Sequence, residues 1–206
     1  MKTNTEIIAK PALPLIVFGI IKGYVKSPIR FMLGTLISFP KFIKSIKSDL
    51  PKEFIKSNGF IVHLYNRLQR RYLKEKAYEI TRAAILCSAF SVMQANFRNA
   101  EAERSYENLI KYQQKAKEEG ATRLNEMRII RQDENRYEYC VTRCMFFEFF
   151  NMMNAPELTK IMCAADNAIF NTYLPNEIVF ERKLGETIPE GAKECSFCIK
   201  NMKSDF

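Results

Sequence analysis

Residues 126–141, EMRIIRQDENRYEYCV, decide the fold class that the sequence predicts. Residues 126–131 and 136–141 carry β-branched and aromatic side chains between charged ones, a pattern that is typical of half-buried strands. Between them, Asp133-Glu134-Asn135 supplies residues that favour a turn. The stretch therefore predicts two antiparallel strands that are joined by a short turn.

The segment that follows this hairpin predicts a helix and two further strands. Residues 145–153 form a short apolar stretch. A helix is expected over 155–173, because a proline and an acidic residue stand at its start. Residues 177–184 and 195–202 have the composition of strands, with a glycine-containing loop between them. We therefore expect a small antiparallel sheet with a helix inserted in its middle.

The N-terminal half of the chain predicts helices. Apolar residues recur at helical spacing over 29–46, and Pro40 is expected to interrupt that helix. Asn58-Gly59 predicts a break. Residues 60–119 lack proline and glycine, which predicts two long helices, or one bent helix, that end at Gly120. The complete prediction is an α+β fold, in which N-terminal amphipathic and long helices precede the sheet.

Composition narrows the classes of function. The 206 residues carry a net charge of +9, and 47% of them are hydrophobic, which is too apolar for a disordered chain. Glycine-rich dinucleotide and P-loop phosphate motifs do not occur. His63 is the only histidine, which excludes a metal site with two histidine ligands. Its place on an amphipathic helix favours a half-buried structural residue.

Basic charge is concentrated near the N-terminus. Residues 1–57 carry ten basic and three acidic side chains, whereas residues 58–206 carry 22 and 20. We predict that residues 1–57 form a basic amphipathic helical arm and that residues 58–206 form an α+β domain. Large apolar residues alternate with the basic ones, which favours packing of the arm on its own domain or on a dimer mate, or contact with a membrane surface. Binding of nucleic acid is not expected, because no recognisable motif for it occurs.

The arm is not expected to span a membrane or to direct secretion. Its apolar runs, 11–21 and 29–40, are shorter than the roughly 20 residues that a spanning helix needs. Charged residues precede the first run and no cleavage motif follows it, so a signal peptide is not indicated. We expect a cytoplasmic protein, with a membrane-peripheral position as the alternative. The sequence leaves the oligomeric state open.

Six cysteines stand out in a chain that is expected in a reducing compartment, where thiols are more often buried, catalytic or metal-binding than paired. Cys87 lies on an apolar helical stripe and is expected in the core. Cys195 and Cys198 are three residues apart in a predicted strand, so they point to opposite faces. Their spacing is therefore a weak signal for a redox motif or a zinc knuckle.

The pair Cys163 and Asp166 is more informative. Residues three apart on a helix share a face, and a carboxylate on the inner side of an apolar helix is costly unless it is paired or used. Cys144 ends one predicted strand and Cys195 begins another, so both are expected to converge on the Cys163/Asp166 face. Three thiols and one carboxylate would then share a small pocket.

The C-terminal region, roughly residues 120–200, resembles a known family. The residues that carry the resemblance are Arg143-Cys144, Glu148-Phe149-Phe150, Pro156-Glu157-Leu158, Cys163-x-x-Asp166, Phe180-Glu181-Arg182, Gly185, Ile188-Pro189-x-Gly191 and Cys195-x-Phe197. This series is similar to the L-2-amino-thiazoline-4-carboxylic acid hydrolase family, from which Cys198 departs. The resemblance implies that residues 58–206 are a hydrolase-like domain. It also implies an enzyme that opens a cyclic isothiourea to an N-carbamoyl amino acid, a hydrolase acting on C–N bonds other than peptide bonds in a cyclic amidine.

Opening such a ring requires a nucleophile, an acid for the departing group and a cation for the carboxylate of the small-molecule substrate. Cys163 or a water molecule is the expected nucleophile, and Asp166 is the expected base. Cys144 and Cys195 are alternative nucleophiles or proton donors. Arg143 and Arg182 are the candidates for binding the substrate carboxylate through paired hydrogen bonds.

A metal site is the alternative for the same residues. The carboxylate beside Cys163 disfavours its thiolate. Zinc held by Cys144, Cys163, Asp166 and Cys195 would remove that conflict, because zinc deprotonates its thiol ligands. The leading interpretation requires no cofactor. The competing function is a non-enzymatic module that binds a small ligand or zinc and docks through its basic arm to a partner or a membrane surface.

Overall fold

The computed structural model describes residues 13–100, 103–182 and 185–205. Within these residues, seven α-helices and four strands occur in the order α1 to α5, β1, β2, α6, α7, β3 and β4. The helices are α1 Leu13–Tyr24, α2 Pro28–Ser45, α3 Lys52–Gln69, α4 Lys74–Ala100, α5 Tyr106–Glu119, α6 Met145–Met152 and α7 Leu158–Phe170. The strands are β1 Glu126–Gln132, β2 Arg136–Arg143, β3 Ile178–Glu181 and β4 Cys195–Asn201.

The four strands form one antiparallel sheet in the order β1-β2-β4-β3. The predicted hairpin is present as β1 and β2, with Met127 opposite Val141. Strand β4 lies between β2 and β3, and its Phe197 is opposite Tyr139 of β2. Because α6 and α7 connect β2 to β3, the predicted sheet with an inserted helix is confirmed. The α+β class is confirmed with it.

Two hydrophobic clusters hold the fold together, and α4 and α7 contribute to both. The first cluster joins α1 to α4 with α6 and the start of α7, where Leu158 and Ile161 are buried. The second joins the sheet and α5 with the end of α7, where Ile169 and Phe170 are buried. The middle of α7 therefore lies where the helical core meets the core of the sheet.

Two predicted interruptions in the N-terminal helices are wrong. Pro40 lies inside α2, which continues through it, because residues beyond the proline such as Ile43 pack against the helical core and offset the lost hydrogen bond and the crowding that a proline causes. Asn58 and Gly59 lie in the middle of α3. Asn58 donates to the Phe54 carbonyl at 3.0 Å. Gly59 lets α2 approach α3, since a Cβ there would lie 2.7 Å from Ile43 Cδ1.

The stretch 60–119 contains parts of three helices, instead of the two long helices or the one bent helix that were predicted. Helix α3 ends at Gln69 and α4 begins at Lys74, while α5 ends before Gly120, as expected. Cys87, which was expected in the core, is exposed. The buried stripe of α4 runs through Ile80, Ala84 and Ser88, and Cys87 lies beside that stripe.

Residues 13–57 pack as part of the helical layer. Val17 and Ile21 of α1, like Phe31 and Met32 of α2, are buried in the first cluster. The boundary expected between residues 57 and 58 falls inside α3, and residues 1–12 of the expected arm lie outside the described residues. None of the described helices combines the length and the apolar character that crossing a bilayer requires.

Replacing Leu158 by alanine tests whether α7 rests on the helical core. Leu158 is 0% exposed, and loss of a buried leucine side chain lowers the free energy of unfolding by about 2–5 kcal/mol. Leu73→Ala is the matched control, since Leu73 is 81% exposed, and it should change the stability by less than about 0.5 kcal/mol. Denaturant unfolding followed by circular dichroism measures both variants. Equal effects of the two substitutions would contradict the burial of α7.

Candidate active site

The centre of the candidate site is the buried guanidinium of Arg182. Arg182 directly follows β3, and its side chain is 4% exposed. Its Nη1 donates to Asp166 Oδ2 at 3.0 Å, and its Nη2 donates to Cys163 Sγ at 3.3 Å. One cation therefore bridges the carboxylate and the thiol that α7 presents on one face.

Helix α7 fixes the relative position of Cys163 and Asp166. The two residues are three apart in the helix and share a face, as predicted. Arg182 Nη1 lies 3.4 Å from the backbone carbonyl of Cys163, so the guanidinium contacts the helix backbone as well as the two side chains. Ala165 and Ile169 are buried against the sheet, which prevents α7 from rotating away from Arg182.

Asp166 combines desolvation by the protein with access to solvent. Its side chain is 41% exposed, yet burial raises the pKa of the carboxyl from 3.8 to about 6. The charge and hydrogen bond of Arg182 lower this pKa, but by less than burial raises it. Solvent therefore reaches a carboxylate that protein atoms largely surround. Because Arg182 donates its hydrogen bond to Oδ2, the lone pairs of Oδ1 can accept a hydrogen bond from a water molecule or a substrate.

The Cys163 thiol keeps its proton at neutral pH. Burial raises the pKa of this thiol to about 12, against the lowering effect of Arg182, and Asp166 adds to the rise. The expected conflict between a thiolate and its neighbouring carboxylate is therefore present. At neutral pH the site therefore holds an ionised carboxylate, which can accept a proton, beside a protonated thiol, which can donate one.

Cys144 lies between β2 and α6, at the N-terminus of the helix. Burial raises the pKa of its thiol, although the backbone amides of Phe146 and Phe147 and the charge of Arg182 lower it. The electrostatic influence of Arg182 and Cys195 on this thiol indicates that all three groups lie in one neighbourhood. Cys144 is partly exposed, so a small molecule can reach it.

Cys195 begins β4 and is 2% exposed. Its Sγ accepts a hydrogen bond from the Ile188 backbone N–H at 3.2 Å, and it lies close enough to Arg182 to raise the pKa of the guanidinium. A side chain with so little exposure does not reach a substrate. The structure thus places the three thiols and Asp166 around Arg182.

Stacked aromatic rings support the guanidinium from the sheet. The Phe197 ring centroid lies 4.4 Å from the guanidinium carbon of Arg182. The Phe197 ring stacks on Tyr139 with centroids 4.7 Å apart. Contact between a cation and an aromatic face is favourable when both are removed from water. Tyr139 was missed in the sequence analysis, although its place at an inward-facing position of β2 was visible in the strand pattern.

The two arginines that were expected to bind a substrate carboxylate are both engaged by carboxylates of the protein. Arg143 donates to Glu148 Oε2 at 2.9 Å and pairs with Glu126 at 3.4 Å. Arg182 is buried against Asp166. Each arginine is therefore already paired with a carboxylate of the protein, and a substrate carboxylate would compete with that pairing.

The metal-binding alternative does not fit this arrangement. In the part of the chain that the structure describes, no three His, Cys, Asp or Glu side chains are placed to hold a metal ion. Arg182 donates to both Cys163 Sγ and Asp166 Oδ2, so a cation of the protein already contacts two of the four expected ligands.

His63 belongs to a different part of the molecule. Its Nε2 is 2.9 Å from Ser38 Oγ, and its ring lies against Phe39 and Phe42. Burial lowers the pKa of the imidazole. His63 is a structural residue between α2 and α3, in agreement with the sequence analysis.

The fold and the cluster define an α+β protein with a carboxylate and thiols gathered around a buried arginine. The chain matches the model of the family described as L-2-amino-thiazoline-4-carboxylic acid hydrolase over residues 53–199. Because the match covers most of the 206 residues, the protein belongs to this family, whose name indicates a hydrolase. The predicted resemblance is confirmed. The match also extends to the N-terminal side of residue 120, where it includes nearly all of α3 and the whole of α4 and α5. Searches of curated proteins and of solved structures found no match.

The raised pKa of Asp166 predicts a pH dependence of stability. Between about pH 4 and pH 6 the folded protein keeps a proton at Asp166 that the unfolded chain has lost. Protonation of Asp166 therefore contributes fully to the free energy of unfolding below pH 3.8, the pKa of this group in the unfolded chain. That contribution is lost as the pH rises through about 6, the pKa in the folded protein. Asp166→Asn removes the titration, so the stability of the wild type relative to this variant should fall over that interval and level off above it.

Denaturant unfolding of both proteins at several pH values measures this difference. Other groups titrate alike in the two proteins, so their effects cancel in the comparison. A difference that stays constant from pH 4 to pH 7, or that grows in favour of the wild type, would show that burial does not raise this pKa.

Proposed function

We propose that the protein hydrolyses a small cyclic isothiourea of the 2-amino-thiazoline-4-carboxylate type to an N-carbamoyl amino acid. The observation that supports this most is the solvent-reached carboxylate of Asp166, held by Arg182 beside the protonated thiol of Cys163. In this proposal Asp166 is the base and Cys163 is the proton donor. The reducing environment of the cytoplasm suits the six cysteines, all of which are unpaired.

The base must hold no proton at neutral pH and yet be able to accept one. A carboxylate with a pKa of about 6 meets both conditions better than an ordinary aspartate, because general-base catalysis is most efficient when the pKa lies near the operating pH. Arg182 supports this role by orienting the carboxylate through Oδ2. Arg182 is thus a positioning residue, since its own side chain is buried.

A water molecule is the nucleophile that these proton affinities favour. With a pKa of about 12, Cys163 has very little thiolate at neutral pH. Asp166 removes a proton from water as the oxygen attacks the ring carbon between sulfur and nitrogen. The carbon–sulfur bond, and no carbon–nitrogen bond, then breaks. Cys163 donates its proton to the departing sulfur while it takes up the proton that Asp166 holds, because a thiol with a pKa of about 12 is by itself too weak an acid for this step. The two hydrogens of the water thus end on the ring nitrogen and the released sulfur.

The remaining thiols have different roles in this scheme. Cys144 is partly exposed, and the amides at the start of α6 oppose the rise that burial causes in the pKa of its thiol, so Cys144 is the second candidate for the attacking group. Cys195 is buried and accepts a backbone hydrogen bond. We therefore assign Cys195 to positioning of Arg182 and the neighbouring loop.

Activity of purified variants on 2-amino-thiazoline-4-carboxylate tests the proposal. Asp166→Asn should lower kcat by about 100-fold to 10,000-fold, because it removes the general base. Cys163→Ala should lower kcat by a similar order, because it removes the proton donor. Formation of N-carbamoyl-cysteine is measured by thiol labelling and mass spectrometry.

Cys198→Ser is the matched control, because Cys198 lies on the same strand as Cys195 but contacts Glu138 on the opposite face. It should retain the wild-type rate. A folded wild-type protein that forms no product would exclude this substrate. An Asp166→Asn variant with full activity would exclude Asp166 as the base, whatever the substrate.

A further inference from the structure

The outward face of α2 exposes large aliphatic side chains in a continuous strip. Ile29, Leu33, Leu36 and Ile37 are 65%, 54%, 42% and 79% exposed. Their spacing of three and four residues places them on one side of the helix. The opposite side, with Phe31 and Met32, is buried in the helical core. Helix α2 is therefore apolar on two faces, and in the described part of the chain, which excludes residues 1–12, only one of them is covered.

A groove lined by arginines adjoins this strip. It has a volume of about 660 Å³ and is lined by Ile29, Leu33 and Ile37 together with Arg30, Arg67 and Arg71. Arg67 Nε is buried without a hydrogen-bond partner. Within the residues that the structure describes, Arg67 Nη1 makes one long hydrogen bond of 3.4 Å to Ser38 Oγ, and the Arg67 guanidinium carbon lies 5.5 Å from the Phe31 ring centroid. Among the described residues, no carboxylate forms an ion pair with any of these three arginines.

The charge around the strip has one sign. Residues 13–48 contain Lys22, Lys26, Arg30, Lys41, Lys44 and Lys47 and no aspartate or glutamate. Lys41 and Lys44 are exposed and continue the outward face of α2 beyond the aliphatic residues. An aliphatic strip bordered by cations is complementary to a surface that offers anionic headgroups above a hydrocarbon layer.

We propose that α2 and the arginine groove dock on the surface of a bilayer that contains anionic phospholipids. The aliphatic strip lies among the lipid headgroups, and Arg30, Arg67 and Arg71 bind the phosphate and carboxylate groups of the lipids. A second copy of the chain is a poorer occupant, because a symmetric contact would bring like charges together. Nucleic acid offers no apolar layer for Ile29, Leu33 and Ile37 to enter. The helix lies on the membrane and does not cross it.

Flotation of the full chain with vesicles tests this proposal. The protein should float with vesicles of phosphatidylcholine and phosphatidylserine, and binding should weaken as the salt concentration rises. Vesicles of phosphatidylcholine alone should bind at least about ten-fold less protein than the anionic vesicles do. Ile37→Asp and Arg71→Glu should each weaken binding to the anionic vesicles on the order of ten-fold.

Matched controls separate this surface from general effects of charge and hydrophobicity. Ile130→Asp alters an isoleucine that is 53% exposed on β1. Arg123→Glu makes the same change in net charge as Arg71→Glu at an exposed position after α5. Both should bind as the wild type does.

Several results would overturn the proposal. The first is that the protein does not bind anionic vesicles at low salt. The second is that it binds neutral vesicles as well as anionic ones. The third is that Ile37→Asp and Arg71→Glu bind anionic vesicles as well as the wild type does. Binding to a DNA duplex without binding to vesicles would point to a nucleic acid instead. A dimer that Ile37→Asp dissociates, without any vesicle binding, would assign the strip to a second copy.

Discussion

The interaction on which the site depends is the pair formed by Arg182 and Asp166. A buried guanidinium is unfavourable unless an anion and hydrogen-bond acceptors compensate it. Asp166, the Cys163 sulfur and the Phe197 ring supply this compensation from α7 and from β4. The pair therefore joins the inserted helix to the sheet at the point where the two hydrophobic clusters meet. Replacing either partner leaves the other without its counter-charge, which is more costly than the pair itself.

The same pair sets the proton affinities that the proposed reaction uses. Burial raises the pKa of both Asp166 and Cys163, and Arg182 opposes the rise for both. Because the two groups start from different ordinary pKa values, the outcome is an ionised carboxylate beside a protonated thiol at neutral pH. Partial exposure of Asp166 and Cys163 leaves them within reach of a substrate, whereas Arg182 and Cys195 form the support behind them.

The sequence predicted the fold class because its local signals agree with the tertiary structure. The hairpin of β1 and β2 and the helix with Cys163 and Asp166 on one face follow from periodicity alone. The break predicted at Asn58-Gly59 is wrong, because Gly59 lies inside α3 where α2 packs closely against it. A contact between two helices of this kind is not visible in the local sequence pattern. Cys87 was misplaced for a similar reason, because its helix buries a neighbouring stripe that includes Ser88.

The convergence of Cys144, Cys163 and Cys195 was predicted from topology, but the position of the cation was not. Arg182 and Arg143 looked equivalent in the sequence, since each is an arginine close to the end of a strand. Only the packing of α7 against β3 and β4 puts Arg182 at Asp166, while Arg143 meets Glu148 and Glu126 at the surface. Long-range contacts of this kind depend on how elements dock, which periodicity does not determine.

The most direct measurement of the central claim is the pKa of Asp166 itself, determined by carbon-13 NMR titration of the aspartate carboxyl groups. The signal is assigned by its loss in Asp166→Asn. The account predicts a midpoint near pH 6 in the wild type, and a higher midpoint in an Arg182→Gln variant that keeps the wild-type near-ultraviolet circular dichroism. A midpoint near 4 that does not change when Arg182 is replaced would contradict it.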